Sequence, residues 1–268
     1  MKDSMESEKT IALITGASSG LGKEFVRIIE KDGETDEIWA IARNEERLFE
    51  LKKEFGEKIK PLSLDLSDFE NLKKAESLLK KEKCCFVKYL VNDAGFAKFC
   101  SYNDISIEET LNMINLNVSA TVALCLICLP FMRRGSRIIN VASQAAFFPL
   151  PYMNVYASTK AFVKNYTRAL NTELKSRGIS ATAVCPGWIE TRFFERASVN
   201  APKAPSNFKG IVKPFAVAQR AMKDALRGKD ISVYGAFVKF SGFAAKILPQ
   251  KTQMKLWLIQ QGIKIGRQ

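Results

Sequence analysis

The chain has 268 residues, with 41 Lys+Arg against 28 Asp+Glu for a formal net charge of +13, and no histidine. Without imidazole, Ser-His-Asp and Cys-His hydrolases, HExxH metal sites and Cys2His2 fingers are excluded. At 47% hydrophobic and 26% charged residues the composition is that of one ordinary globular domain, neither disordered nor collagen-like.

Residues 1 to 10, MKDSMESEKT, are polar and acidic where a secretory signal needs an apolar region. A cytoplasmic protein with reduced cysteines is therefore expected. Ile11 to Thr15 reads as a strand, Gly20 to Lys31 as a helix, Glu37 to Ala42 as a strand and Glu45 to Phe55 as a helix. Ile59 to Leu64 is the next strand, Asp68 to Lys81 a helix capped by Ser67 or Asp68, and Phe86 to Val91 a fourth strand. A helix follows from Ile107 to Met132, broken near Asn115, then a strand over Arg137 to Val141. Val155 to Arg177 reads as a long helix closed by Gly178, Ile179 to Val184 as a strand, Pro214 to Arg227 as a helix and Ile231 to Tyr234 as a last strand. This alternation implies right-handed crossovers and a doubly wound, Rossmann-like parallel sheet covered on both faces. The apolar stretch Thr121 to Met132 is too short to cross a bilayer. Within it, Cys125 and Cys128 form a lone CxxC that fits core packing better than a metal or redox site.

Thr15-Gly16-Ala17-Ser18-Ser19-Gly20-Leu21-Gly22 leaves the first strand and opens the first helix. Its glycines permit a sharp turn and bring backbone N–H groups close to a pyrophosphate at the positive end of a helix. The same letters match the GxSxG nucleophile elbow, but that serine needs a histidine base. They match neither the P-loop of NTPases nor the tighter GxGxxG. The second strand ends in Ala42-Arg43, where an NAD site carries an acid for the ribose and a 2′-phosphate calls for a cation, so NADP is favoured. Tyr156 and Lys160 stand four apart on one helix face, close enough for the ammonium to lower the phenol's pKa toward neutrality. Ser143 lies just past a strand at the carboxyl end of the sheet.

Taken together, these motifs resemble the short-chain dehydrogenase/reductase family over about residues 10 to 235. The family's TGxxxGxG is met by Thr15, Gly16, Gly20 and Gly22, and its NNAG by Asn92-Asp93-Ala94-Gly95. Its helix asparagine is met by Asn117, with Asn115 as a competitor, its serine by Ser143, its YxxxK by Tyr156 and Lys160, and its PGxxxT by Pro186, Gly187 and Thr191. Asp93 is the one departure, at a turn read as structural. The resemblance implies hydride transfer between a nicotinamide and a ketone or secondary alcohol, with no metal. Tyr156 would move the substrate proton and Ser143 would orient the oxygen. Lys160 would bind the nicotinamide ribose, and Asn117 would hold a water relay. Asp65 and Leu66 would border the adenine, and Asn92, Ala94 and Gly95 the adenosine ribose. Ser18, Ser19, Leu21 and Ile189 complete the expected NADP(H) contacts.

Residues 188–214 fall where this family carries its substrate lid, with Trp188, Phe193, Phe194 and Phe208 inside and Phe215 just beyond. With Phe147, Phe148, Leu150, Tyr152 and Met153 they suggest an apolar wall. A hydroxysteroid or bile acid is the first substrate reading and a 3-oxoacyl thioester the second. A non-catalytic NADP-binding sensor is the alternative of another class, against which the retention of Ser143, Tyr156 and Lys160 argues. From Lys203 onward thirteen Lys+Arg face only Asp224 and Asp230. Residues 236–268 form a basic extension with a predicted helix over Thr252 to Gln261. That extension could pack on the parent domain, meet another subunit of a homodimer or homotetramer, lie on an anionic membrane, or attract an acidic substrate. No motif for nucleic-acid recognition accompanies it.

Overall fold

Strands β1 (Lys9–Thr15), β2 (Glu37–Ala42), β3 (Ile59–Ser63), β4 (Cys85–Asn92), β5 (Arg137–Val141), β6 (Ser180–Val184) and β7 (Ile231–Ser232) form one parallel sheet. Their order is β3-β2-β1-β4-β5-β6-β7. The computed structural model describes residues 8–82, 84–191, 193, 197 and 210–263. The continuous apolar run of β1 is explained by its central place. Ala12 and Ile14 enter the core on one face, and Ile11 and Leu13 enter it on the other.

Helices α1 (Gly20–Asp32), α2 (Glu45–Phe55) and α7 (Pro214–Leu226) cover one face of the sheet. Phe25, Ile29, Leu48, Leu51 and Val217 supply its core. The other face takes α3 (Phe69–Lys81), α5 (Ala120–Cys128) and α6 (Asn154–Glu173), through Leu72, Leu79, Leu124, Cys125 and Leu170. Each such side chain, fully buried, contributes roughly 1.5–3 kcal/mol of transfer free energy. Side-chain caps fix several helix starts. Asn44 accepts from the Arg47 amide, and Asp68 rather than Ser67 caps α3 by accepting from Glu70. All six cysteines are free, and Cys125 and Cys128 are buried as the sequence suggested.

The break expected near Asn115 is an interruption of the regular helix there, and the chain stays helical through it. Helix α4 (Ile107–Ile114) passes into α5 through a wide π turn over Asn115–Ser119, and the helical run continues to Phe131. At 25 residues this run is long and apolar enough by composition to cross a membrane. It exceeds the shorter apolar stretch counted in the sequence, because α4 and the π turn extend it. Here it packs on the sheet, with Ala120, Leu124, Cys125 and Cys128 buried.

The C-terminal extension holds two helices where one was expected. Helix α8 (Ala236–Ile247) precedes α9 (Gln250–Gln260). Trp257 and Leu258 of α9 bury against the domain, and the Trp257 indole N–H donates to the Pro151 carbonyl at 3.1 Å.

Candidate active site

The strand order reverses between β1 and β4, and a cleft of roughly 500 Å³ opens at their carboxyl ends. Its nucleotide half is made mainly of backbone. Gly16 has φ +67, a left-handed conformation that a side chain would strain. A Cβ on Gly22 would stand 2.4 Å from the Gly16 carbonyl oxygen, so the first turn of α1 seats directly on the loop. Ser19, before α1, makes no side-chain capping bond, which leaves the helix start open to an anion. Gly16, Ser18, Ser19, Gly20 and Leu21 line the cleft.

Thr15, Gly22 and Asn92 lie behind that surface rather than on it. The Thr15 hydroxyl accepts from the amides of Asp93 and Ala94 at 3.0 Å each, tying β1 to β4. Asn92 donates to Asn140 Oδ1 at 2.8 Å inside the core. These residues shape the nucleotide half from behind. Ala94, Gly95, Leu66, Pro186, Gly187, Ile189 and Thr191 line the cleft as expected.

Arg43 and Asp65 face each other at its adenosine end, 3.8 Å apart. Burial raises the Asp65 pKa, but two hydrogen bonds from Ser67 and the Arg43 charge outweigh it and hold the carboxyl below its usual range. Arg47 lines the same end and was missed in the sequence. The signal was present: Asn44 caps α2, so Arg47 sits in its first turn, where side chains lean back toward the helix start.

The side chains expected to be catalytic come from the loop after β5 and from α6. Ser143 ends an extended stretch and accepts from the Ala145 amide at 3.1 Å, which leaves its own proton available. Tyr156 is buried, which pushes its pKa up to about 12, opposed by a hydrogen bond with Ser143. Lys160 Nζ donates to the Val141 carbonyl at 2.8 Å and lies 5.9 Å from the Tyr156 ring centre. Burial brings its pKa down to about 8. The expectation that Lys160 brings Tyr156 toward neutrality is therefore corrected, because desolvation dominates both groups. The phenol is protonated at neutral pH.

Asn117 sits beside this group, but its amide is committed. It accepts from the Phe96 amide at 3.0 Å and donates to the Phe96 carbonyl at 2.9 Å and to Thr159 Oγ1 at 3.1 Å. Its carbonyl accepts from the Thr121 hydroxyl. Asn117 thus positions the loop after β4, and its Oδ1 keeps one further lone pair beside Lys160.

Asp93 also lines the cleft, which the reading of a structural turn did not anticipate. Burial raises its pKa to about 7, against the Lys160 charge and a hydrogen bond from the Gly22 amide.

The substrate half is walled by side chains. Phe96, Trp188 and Phe193 line it, and Phe193 packs on Tyr156 with ring centres 5.6 Å apart. Phe99 lies behind, edge-on to both Trp188 and Phe193 at 6.4 Å. Phe148 does not reach the cleft. It packs with Leu150 and Met153 in the cluster behind, which Trp257 joins from α9. Phe215 is exposed on α7, and Phe194 and Phe208 lie outside the described residues. Both stems of the expected lid are pinned. Val212 donates to the Trp188 carbonyl and accepts from the Glu190 amide, both at 3.0 Å.

A profile described as short chain dehydrogenase matches residues 10–201. The chain belongs to this family. It is 34% identical over 182 residues to an NADP-dependent 3-hydroxy acid dehydrogenase of Escherichia coli O157:H7, covering 67% of this chain and 72% of that one. It is 32% identical over 192 residues to the very-long-chain 3-oxoacyl-CoA reductase-B of Danio rerio, covering 68% of this chain and 60% of the relative. Among solved structures, the closed form of serine dehydrogenase complexed with NADP+ superposes with a TM-score of 0.71 at 28% identity, covering 84% of this chain and 94% of that one. The family's chemistry agrees with the histidine-free set found here: Ser143, Tyr156 and Lys160 all open onto one cleft.

Proposed function

We propose that this short-chain dehydrogenase is an NADP(H)-dependent oxidoreductase that reduces the carbonyl of a bulky, apolar substrate. The observation that carries this reading is the meeting of Ser143, Tyr156 and Lys160 with an aromatic wall of Phe96, Trp188 and Phe193 in one cleft. The glycine loop fits a dinucleotide, since Gly16 turns it in a left-handed conformation and Ser19 leaves the start of α1 without a side-chain cap. Gly16, Ser18, Ser19 and Gly20 would hold its phosphates, and Arg43 and Arg47 a 2′-phosphate. NADP+ in the related serine dehydrogenase structure supports the same cofactor. When bound, the reduced dinucleotide supplies a hydride for a carbonyl carbon.

The protein's part is to hold the carbonyl and provide the proton. The Ser143 hydroxyl donates a hydrogen bond to the carbonyl oxygen, and Tyr156 delivers its phenolic proton to the same atom. A pKa pushed up to about 12 keeps that proton in place at neutral pH, ready for transfer to a carbonyl oxygen. The Lys160 ammonium stabilises the phenolate left behind. Phe193, packed at a tilt against Tyr156, excludes water and offers an apolar surface to the substrate.

A hydroxysteroid or bile acid fits that wall. A 3-oxoacyl thioester is the second reading, favoured by the similarity to the very-long-chain 3-oxoacyl-CoA reductase. A panel of steroid ketones, 3-oxoacyl thioesters and small polar ketones, followed by NADPH and NADH oxidation, tests the proposal. Bulky apolar ketones should give the highest kcat/KM, and Arg43→Ala should raise the NADPH KM about tenfold with little change for NADH. A preference for small polar ketones would overturn the substrate class, and equal effects on both cofactors would overturn the cofactor choice.

A further inference from the structure

Helix α8 carries Phe237, Phe240, Phe243 and Ile247 at steps of three and four residues, hence on one face. All four are 60% exposed or more. The opposite face is spoken for. Val238 is buried against Gly187, at 2.8 Å from where a Cβ on that glycine would stand, and Gly242 rests on the Phe147 ring. The outward aromatics are therefore left over after α8 has docked on the rim of the cleft. On α9, Leu256 and Ile259 are exposed as well, at 53% and 71%. Contiguous apolar surface of this kind marks an interaction site in soluble proteins.

Charge decides what it meets. Lys239 and Lys246 are seven residues apart, on one margin of α8, and Lys251 and Lys255 lie along α9; all four are exposed. No acidic residue occurs anywhere from Ile231 to Gln268. A second copy of the chain, meeting this patch through a two-fold axis, would bring the same lysines face to face with no carboxylate from the patch to pair them. Lipid phosphates supply the missing anions in a plane, directly above acyl chains that accept phenyl rings. Both requirements are met by one surface.

We propose that the outer face of α8, with α9 beside it, docks the protein on the surface of an anionic lipid bilayer, rings in the headgroup boundary and lysines on the phosphates. Because α8 also packs on Gly187 and Phe147, docking would place the rim of the cleft beside the bilayer. The proposal does not depend on which ketone the enzyme reduces.

The test is flotation of the full-length protein with vesicles of phosphatidylcholine alone and of phosphatidylcholine mixed equally with phosphatidylglycerol. The wild type should float with the mixed vesicles and not with phosphatidylcholine alone, and added salt should release it. Lys239→Glu/Lys246→Glu should weaken binding by about tenfold or more, and Phe237→Ser/Phe240→Ser/Phe243→Ser should abolish it. Both variants alter exposed side chains, so their melting temperatures and NADPH turnover in solution should match the wild type. Failure to float with anionic vesicles would overturn the proposal, as would binding indifferent to the lysine reversals. It would also fall if sedimentation equilibrium revealed a dimer that the phenylalanine variants dissociate while no vesicle binds, since the partner would then be a second copy.

Discussion

The two halves of the cleft are built from different materials. The nucleotide half is backbone: a left-handed Gly16, a helix start seated on it at Gly22, and a hydroxyl from Thr15 lashing β1 to β4. The substrate half is side chain: aromatic rings brought from residues 96–99, 188 and 193 onto Tyr156. Backbone geometry admits almost no substitution, whereas a wall of rings can be re-cut by changing one of them. A cofactor site of the first kind should be rigid and shared among relatives, and a substrate site of the second kind should be adjustable.

Removing the phenolic proton should separate the halves most sharply. Tyr156→Phe is expected to lower turnover by ~10²–10⁴-fold or more while NADPH binding, followed by fluorescence titration, stays near the wild-type value. Turnover that persists would take Tyr156 out of its role and favour the non-catalytic sensor. Gly22→Ala should damage the other half. The new methyl meets a backbone carbonyl that has no freedom to yield, so stability should fall by about 1–3 kcal/mol and NADPH affinity with it. A variant as stable and as tight as the wild type would show that the loop is softer than its geometry implies.

The smallest effect concerns Asp93, which faces the cleft from between the halves. In the folded protein its carboxyl titrates near about 7, against about 4 in an unfolded chain. Between those values the unfolded state ionises while the folded state does not, so rising pH costs stability across that window and the penalty is complete above it. Asp93→Asn should remove the slope. Its melting temperature should exceed the wild type's at pH 8, on the order of 1–3 kcal/mol in stability, and the gain should vanish at pH 4. An identical pH profile for the two proteins would place Asp93 in a solvated setting instead.

The halves also differ in how far the sequence discloses them. The strand order and glycine loop follow from short-range signals: β1 is apolar on both faces, and three glycines cluster where a strand meets a helix. Thr15, Gly22 and Asn92 belong to the same motifs, yet a motif records which residues must be present and not which of them face the ligand. The aromatic wall depends on chain segments distant in sequence, so Phe148 looked equivalent to Phe193 although one packs behind the cleft and the other on Tyr156. Helix α8 escaped because its exposed face is the apolar one, the reverse of the usual pattern. The tyrosine pKa was misjudged for a related reason. Proximity to Lys160 is visible in the spacing, but burial, which outweighs it, is a property of the fold.

The bridge between Ile189 and Val212 has a consequence for how new specificities could arise. It holds the two stems of the intervening segment side by side. Closing a longer loop between fixed stems costs little, about 0.6 kcal/mol for each doubling of its length. These stems are therefore the natural points at which to exchange the segment, provided Phe193 and its packing on Tyr156 are kept. Graft a relative's segment between them, and the recipient should keep its sheet, its dinucleotide and its proton donor while acquiring the donor's taste in ketones.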